Sequence, residues 1–270
     1  VTSISDYAFQ YATSLTSITI PDGFTTIGEK AFYQASNLTE VIMPTSVTSI
    51  GTGAFQNTGI TDALYANNAT LVYYPPSLSG PFTVPDSVTS IEASAFYQAT
   101  GLTEVIFGAN SQLTSIGINS FYFASNLTAI NIPASVTYIG TNAFKSTGFT
   151  DVLYNENNTM LVYYPSSLPA TEFEIPTSVT KVANSAFLQV SSLTSITIPE
   201  GVNSIGDSAF SQATGLTSIT IPTSVTFIGQ SAFGGMSSLT SVTIANGQLT
   251  DIASPATNVD FFGATSINLL

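Results

Sequence analysis

The dominant feature of the 270-residue sequence is a repeated stretch that is first complete at residues 15–32. Its skeleton is Leu-x-x-Ile-x-Ile-Pro, then Val-Thr-x-Ile-Gly, then Ala-Phe, with local changes from copy to copy. A fixed period in this range is typical of a solenoid, in which each repeat buries its apolar face only against its neighbours. Phe9 and Phe32 are 23 residues apart, as are Phe210 and Phe233. The recurring phenylalanines are Phe9, Phe32, Phe55, Phe96, Phe121, Phe144, Phe187, Phe210 and Phe233.

Within one repeat, residues 15–20 alternate apolar and polar side chains, which predicts a half-buried strand. Pro21 ends this strand because proline lacks the N–H that a ladder requires. A second extended piece is expected over residues 24–27, on the far side of the coil. Gly28 then permits a tight turn, and a short helix is expected to carry Phe32 at the edge of the repeat. The pattern predicts a β-rich α/β solenoid of about eleven such turns.

Two insertions interrupt the regular scheme. Residues 63–76 and 152–166 each contain Leu-Tyr, an Asn-Asn pair and Leu-Val-Tyr-Tyr-Pro, which predicts an inserted β-hairpin. The second is a copy of the first, because Asn68 and Asn157 are 89 residues apart, as are Asn37 and Asn126. The array is therefore expected to have grown by duplication of a block of several repeats.

The whole chain, residues 1–270, is predicted to form a single solenoid. Residues 1–4 match residues 47–50, so the chain opens within a repeat, and residues 266–269 resemble the start of another strand. Both ends are therefore expected to have been cut from a longer array.

Charge limits the classes of partner. Three lysines, no arginine and sixteen carboxylates give a net charge of −13, and only 7% of residues are charged. Nucleic-acid binding needs cations to neutralise phosphates and is therefore close to excluded. Membrane insertion is not expected, since no apolar run approaches the length of a membrane span. A surface covered with serine, threonine and asparagine favours an extracellular location.

The repeat resembles the BspA-like class of leucine-rich repeats. The resemblance rests on Ile-Pro-x-x-Val-Thr-x-Ile-Gly-x-x-Ala-Phe followed by Leu-Thr-x-Ile, and on the inserted Leu-Val-Tyr-Tyr-Pro, and it covers essentially the whole chain. It implies a right-handed coil with a parallel sheet on one face, found in surface and secreted proteins. Some members are described as adhesins that bind host proteins or other cells. The resemblance supplies no catalytic residues.

An enzyme is not predicted. The chain has no His and no Cys, which removes the usual general base and the commonest nucleophiles. Glu40 and Asp62 are expected at matching strand positions of neighbouring repeats, with Glu104 and Asp151 in the corresponding place one block later. Such carboxylates could share a cation or a proton, but a solvated acidic patch is the preferred interpretation. No cofactor and no metal are predicted, because phosphate loops and calcium-binding Asp-x-Asp runs are absent from the sequence.

Threonine recurs directly after the first core residue of each repeat, and stacking would align these threonines into a ladder on the sheet. They could form a binding face or, like the hydroxyl arrays of ice-binding solenoids, order water; equally, threonine simply suits an exposed strand position. Tyr73, Tyr74, Tyr163 and Tyr164 could add stacking surface for a sugar or peptide, although at least half of them are expected to pack inward. The threonines of this candidate face are Thr16, Thr39, Thr61, Thr103, Thr128, Thr150, Thr194, Thr217 and Thr240.

Four Asn-x-Ser/Thr sequons, at Asn37, Asn68, Asn126 and Asn157, are candidate glycosylation sites. Asn37 and Asn126 could instead cap the predicted helices. Asn68 and Asn157, at the predicted hairpin tips, are expected to be the most accessible.

Three functions remain open. The first is adhesion to, or recognition of, a protein or glycan by a non-enzymatic cell-surface or extracellular protein. The second is a structural subunit of a fibre or surface layer, built by self-association end to end. The third is ice binding through the threonine ladders.

Overall fold

The computed structural model describes residues 1–244, 251–252 and 267–269. The chain divides into two compact units, Val1–Gly148 and Phe149–Leu270. Each unit is a coil of short parallel strands, and the single solenoid expected over residues 1–270 stays a prediction. Within the described residues, no helix is long and apolar enough to cross a membrane.

Unit 1 contains two sets of parallel strands, one on each side of the coil. One set forms the pair β2–β4 and the sheet β8–β10–β12. The other set forms β1–β3–β5 and a five-stranded sheet of order β13–β11–β9–β7–β6. The strands are β1 Ser3–Ile4, β2 Ser17–Thr19, β3 Thr26–Ile27, β4 Glu40–Ile42, β5 Ser49–Ile50, β6 Leu64–Ala66, β7 Thr70–Tyr73, β8 Gly80–Val84, β9 Ser90–Ile91, β10 Leu102–Phe107, β11 Ser115–Ile116, β12 Ala129–Ile130 and β13 Tyr138–Ile139.

Unit 2 repeats this arrangement. The pair β16–β18 and the sheet β20–β22–β24 lie on one side, and a six-stranded sheet of order β14–β15–β17–β19–β21–β23 lies on the other. The strands are β14 Leu153–Tyr154, β15 Met160–Tyr163, β16 Glu172–Glu174, β17 Lys181–Val182, β18 Ser195–Thr197, β19 Ser204–Ile205, β20 Ser218–Ile221, β21 Phe227–Ile228, β22 Ser241–Ile244, β23 Asp251–Ile252 and β24 Ile267–Leu269.

The register of the sheets follows the sequence repeat. In β20 and β22, Ser218 pairs with Ser241 and Ile219 with Val242, so equivalent residues of successive repeats are neighbours. Ile219 and Val242 are buried while Thr220 is exposed, as the period of two in a strand requires. This confirms the predicted alternation. The expectation of a parallel sheet on one face was incomplete, because the second extended piece of the repeats also forms parallel sheets.

A stack of aromatic rings forms the centre of each unit. In unit 2, Tyr164, Phe187, Phe210 and Phe233 stack with centroid distances of 5.2, 4.9 and 5.4 Å. In unit 1, Phe96 and Phe121 are 4.6 Å apart, and Phe9 stacks on Phe32 at 5.1 Å. These distances are within the range in which aromatic pairs attract one another beyond the burial of their area.

The expected short helices around each Phe were wrong, since the described residues contain no α-helix. Ser208 and Gln212, two residues before and after Phe210, have left-handed φ angles of 53° and 58°. Alternate N–H groups therefore point along the coil: those of Ser208, Phe210 and Gln212 donate to carbonyl oxygens of the next repeat at 2.7–2.9 Å. A helix would direct these N–H groups to its own preceding turn. The turns gain bonds between repeats instead.

Both predicted hairpins are confirmed. β6 and β7 pair antiparallel, as do β14 and β15, and the second strand of each hairpin joins a parallel sheet beside β9 or β17. The tyrosine that follows then takes the place of the repeat phenylalanine. Tyr74 lies 4.9 Å from Phe96, and Tyr164 lies 5.2 Å from Phe187. Each insertion thus adds a strand to a sheet, and its tyrosine is the first ring of the aromatic stack that follows it.

The glycine of the Ile-Gly step is required by close packing between repeats rather than by an unusual φ. A Cβ on Gly117 would lie 2.6 Å from the backbone nitrogen of Ala93 in the preceding repeat. Glu92 and Ala183 replace this glycine, and both stand in the first regular repeat after a hairpin, where the Ile-Gly turn of a preceding repeat is missing. The glycine therefore marks a repeat that follows another regular repeat.

We expect Gly117→Ala to lower the free energy of unfolding by about 1–3 kcal/mol, because the added methyl group meets backbone that cannot move aside. The melting temperature, measured by calorimetry, should fall by roughly 2–4 °C for each kcal/mol. The matched control is Glu92→Ala at the equivalent position after a hairpin, which should melt close to the wild type. Equal melting temperatures for the two variants would contradict this explanation of the glycine.

Candidate functional site

The predicted threonine ladder is exposed at all nine positions. Its hydroxyls are not all directed to solvent. The hydroxyls of Thr39, Thr128, Thr194 and Thr240 donate to the main-chain oxygen of the equivalent residue one repeat earlier, at 3.1–3.5 Å. The backbone N–H of each donates to the same oxygen at 2.7–3.0 Å. These threonines reinforce the bonds between repeats, which is a structural role.

A different set of hydroxyls faces outward from unit 2. In β18, β20 and β22 the sequence Ser-x-Thr places one serine and one threonine on the outer side of each strand, and β18 lies beside β20. Those in β18 and β20 are exposed and those in β22 are partly exposed. We call this set the hydroxyl face: it consists of Ser195, Thr197, Ser218, Thr220, Ser241 and Thr243.

The carboxylates are distributed unevenly over these sheets. In unit 1, Glu40 lies opposite Ser17 and Glu104 lies opposite Ala129, so the strand next to Glu104 carries no second carboxylate there. Glu104 and Asp151 were expected at corresponding positions, but the residue on the strand adjoining Glu104 is Ala129, so Glu104 has no carboxylate partner on that strand. In unit 2, Glu172 and Glu174 border the hydroxyl face opposite Ser195 and Thr197. Within the described part of the chain, no group of three or more acidic residues could hold a metal ion.

Four tyrosines were considered for a binding surface, with at least half of them expected to pack inward, and three of the four are inside the protein. Tyr73, Tyr74 and Tyr164 are buried, and Tyr163 is partly buried. Phe82 and Phe173 pack edge-on against the rings of Tyr74 and Tyr164 at 4.9 and 5.0 Å. Tyr73, Tyr74 and Tyr164 thus belong to the core and cannot present stacking surface to a partner in this conformation.

Tyr164 offers a test of the core. Its hydroxyl oxygen is buried and has no hydrogen-bond partner among the residues that the structure describes. An unpaired buried polar group costs about 1–3 kcal/mol, so Tyr164→Phe should raise the free energy of unfolding while the ring stack is kept. Urea unfolding followed by circular dichroism measures the change. The control is Phe187→Tyr, which adds a hydroxyl to the next ring of the stack and should destabilise; a destabilised Tyr164→Phe variant would contradict the structure.

Burial also makes stability depend on alkaline pH. Desolvation raises the pKa of Tyr65, Tyr73, Tyr74, Tyr154 and Tyr164 above the usual tyrosine value. The unfolded chain then loses these protons at a lower pH than the folded protein does. The stability is therefore fully present below about pH 10 and is lost as the pH rises above that value.

The melting temperature should accordingly change little between about pH 8 and 9 and fall above about pH 10. A Tyr74→Phe/Tyr164→Phe double variant should lose less stability over the same range, because two of the five tyrosines no longer ionise. Tyrosinate absorbance recorded during unfolding checks the mechanism. A parallel decline in the wild type and the double variant would show that these two residues do not contribute.

The four sequons divide into two structural classes. The side-chain nitrogens of Asn37 and Asn126 each donate to a main-chain oxygen of the preceding repeat, from Thr13 and Thr100, at 2.7 Å. Asn68 and Asn157 are exposed in the turns of the two hairpins. The side-chain oxygen of Asn157 accepts a bond from the hydroxyl of Thr159, the third residue of its own sequon, at 2.8 Å. Glycosylation itself stays a prediction at all four positions.

The sequence interpretation missed an aromatic surface on the turns of unit 1. Tyr97 and Tyr122 follow the stacked phenylalanines directly, and their ring centroids are 5.7 Å apart. Phe123 contacts Tyr122 edge-on at 4.4 Å, and the Nζ atom of Lys145 lies 5.7 Å from the centroid of the Tyr122 ring. We call these four residues the aromatic edge. The signal was the Phe-Tyr dipeptide at residues 96–97 and 121–122, one position after the core column.

Comparison with known proteins places the chain in a family. The model of the BspA type leucine rich repeat region matches six copies, over residues 2–74, 72–166 and 162–267. The protein therefore belongs to the BspA-type leucine-rich repeat family, as the sequence resemblance indicated. No curated protein matches the chain.

Several solved structures are similar. A leucine-rich repeat protein from Eubacterium ventriosum is 26% identical with a TM-score of 0.52, and the match covers 99% of this chain and 78% of that protein. A leucine rich cell surface protein from Faecalibacterium prausnitzii is 25% identical with a TM-score of 0.46, covering 97% and 85%. The pneumococcal vaccine antigen PcpA is 22% identical with a TM-score of 0.45, covering 97% and 77%. The first of these supports the leucine-rich repeat fold.

Proposed function

We propose that the protein is a non-enzymatic recognition protein that binds a protein or glycan partner outside the cell, with unit 2 contributing its hydroxyl face. The observation that carries the proposal is the array of uncharged hydroxyls on β18, β20 and β22, which is in register between β20 and β22. Ser218 pairs with Ser241 and Thr220 with Thr243, so neighbouring repeats present the same groups at the spacing of adjacent strands. Extended repeat surfaces of this kind suit large partners.

The chemistry of the hydroxyl face supports a polar, uncharged contact. Each hydroxyl can donate one hydrogen bond and accept others, and neighbouring strands hold them in fixed positions. Glu172 and Glu174 border one side, so a partner seated across β16 and β18 would also offer hydrogen-bond donors to these carboxylates. The low content of charged residues, 7%, supports the extracellular location that the composition indicates.

The test is a binding screen of the whole protein against immobilised extracellular-matrix proteins and a glycan array. A Ser218→Lys/Thr220→Lys variant places two cations in the middle of the face and should abolish the binding found for the wild type. The matched control is Thr39→Lys on unit 1, which adds a cation outside the face and should retain binding. Full binding by the Ser218→Lys/Thr220→Lys variant would remove the hydroxyl face from the proposal, and a wild type that binds nothing would overturn recognition itself.

The other two functions remain predictions. End-to-end self-association is the first of them. Ice binding would have to use the hydroxyl face rather than the threonine ladder, because four hydroxyls of the ladder bond to the main chain.

A further inference from the structure

Three stacked turns of unit 1 differ in charge from the rest of the chain. They comprise residues 93–98, 118–123 and 141–146, and they contain the whole aromatic edge. The protein carries a net charge of −13, but these turns contain no carboxylate and hold Lys145, one of only three lysines. The turns themselves therefore carry one positive charge, and Glu92 directly precedes the first of them, on a protein that repels anions at long range.

The fold does not require aromatic residues at these positions. The residue after the stacked phenylalanine is a tyrosine at positions 33, 97 and 122 of unit 1 but a glutamine at positions 10 and 56. In unit 2 the equivalent positions are Leu188, Ser211 and Gly234. The turns of unit 2 nevertheless have the same left-handed residues two positions before and after Phe187 and Phe210. The aromatic edge is thus a local addition to a turn that also forms with serine or glycine.

The accessible side chains of the edge are apolar or amphipathic. Phe123 is 42% exposed, and Ile118, on the same three turns, is 46% exposed. Tyr97 and Tyr122 are partly exposed and have hydroxyl groups that can donate and accept hydrogen bonds. The ammonium group of Lys145 supplies up to three donors beside the Tyr122 ring. Aromatic faces next to hydrogen-bond donors make up the chemistry that recognises a sugar ring, whose C–H face is apolar and whose rim carries hydroxyls.

We infer that the aromatic edge binds an uncharged oligosaccharide that runs along the coil and stacks successive pyranose rings on Tyr97 and Tyr122. The inference rests on the proposed recognition function and names the ligand class and a second surface for it. The 5.7 Å between the two ring centroids is comparable to the length of one pyranose unit in an extended chain. A polyproline helix fits less well, because its same-face residues recur only after three residues of about 3.1 Å each. A polyanionic glycan is disfavoured by the net charge of −13.

The experiment is isothermal titration calorimetry of the full chain with neutral hexasaccharides of β-1,4-glucose, β-1,4-N-acetylglucosamine and α-1,4-glucose. We expect at least one to bind the wild type, and a Tyr97→Ser/Tyr122→Ser variant to bind it at least roughly tenfold more weakly. Serine is the native residue at the equivalent position 211, so this turn accepts it. Leu188→Ser is the matched control in unit 2 and should bind like the wild type.

A second variant guards against a folding defect. Phe123→Ser removes an exposed ring at a position where the next repeat has Ser146, also with a left-handed φ, and it should weaken binding while leaving the melting temperature close to that of the wild type. Unchanged affinity in both Tyr97→Ser/Tyr122→Ser and Phe123→Ser overturns the inference. So does preferential binding of a proline-rich peptide or of oligogalacturonate, each titrated in parallel.

Failure of the inference can be told apart from failure of the proposed function. If the wild type binds partners in the array screen but no neutral hexasaccharide, oligosaccharide binding by the aromatic edge is overturned. The proposed recognition through the hydroxyl face is then unaffected. If hexasaccharides bind the wild type and the Ser218→Lys/Thr220→Lys variant fully but bind the Tyr97→Ser/Tyr122→Ser variant weakly, the edge is confirmed independently of that face. Each surface is thus tested by variants that leave the other surface intact.

Discussion

Contact between equivalent residues of successive repeats is the constraint on which the structure depends. Ring stacks of Phe96–Phe121–Phe144 in unit 1 and Phe187–Phe210–Phe233 in unit 2 fix the separation of the turns at 4.6–5.4 Å between centroids. Adjacent β-strands lie at a similar distance, about 4.7–4.9 Å, so the rings and the ladders fit the same spacing. Every other contact must conform to it: glycine where backbones approach closely, left-handed residues where N–H groups must point along the coil, and threonine where a hydroxyl reaches the preceding repeat.

Much of this followed from the sequence, and the part that did not has a physical explanation. The period, the core strands and both hairpins were predictable because alternation and turn residues report burial directly. The helix around Phe210 was wrong because a short apolar pair between polar residues is equally compatible with a turn whose φ alternates in sign, and Ser208 and Gln212 have no sequence signal for positive φ. Propensity describes a segment by itself, whereas these turns are stabilised by the neighbouring repeat.

The candidate surfaces were harder to predict, since a sequence shows which residues are polar but not what their polar atoms bond to. Thr194 and Thr197 are both exposed threonines of one repeat. The hydroxyl of Thr194 reaches the main-chain oxygen of Thr171, whereas Thr197 lies on the outer side of β18. Tyr73 and Tyr74 were considered as stacking surface, with at least half of the four hairpin tyrosines expected to pack inward. Both of their rings are buried, because the hairpin strand enters the sheet. Tyr97 and Tyr122 were overlooked because they adjoin core phenylalanines.

The glycine of the Ile-Gly step also has a meaning for how such chains evolve and can be rebuilt. A repeat with this glycine can follow any regular repeat, whereas the repeats with Glu92 or Ala183 in place of the glycine are adapted to follow a hairpin. Exchange of single repeats would therefore be restricted, because moving Ala183 behind a regular turn would force its methyl group into backbone. Duplication of a whole block with its hairpin carries each junction along unchanged. The 89-residue offset between the two hairpins is the result expected from duplication of such a block. For protein engineering, the same restriction identifies the junctions at which these arrays can be cut and rejoined.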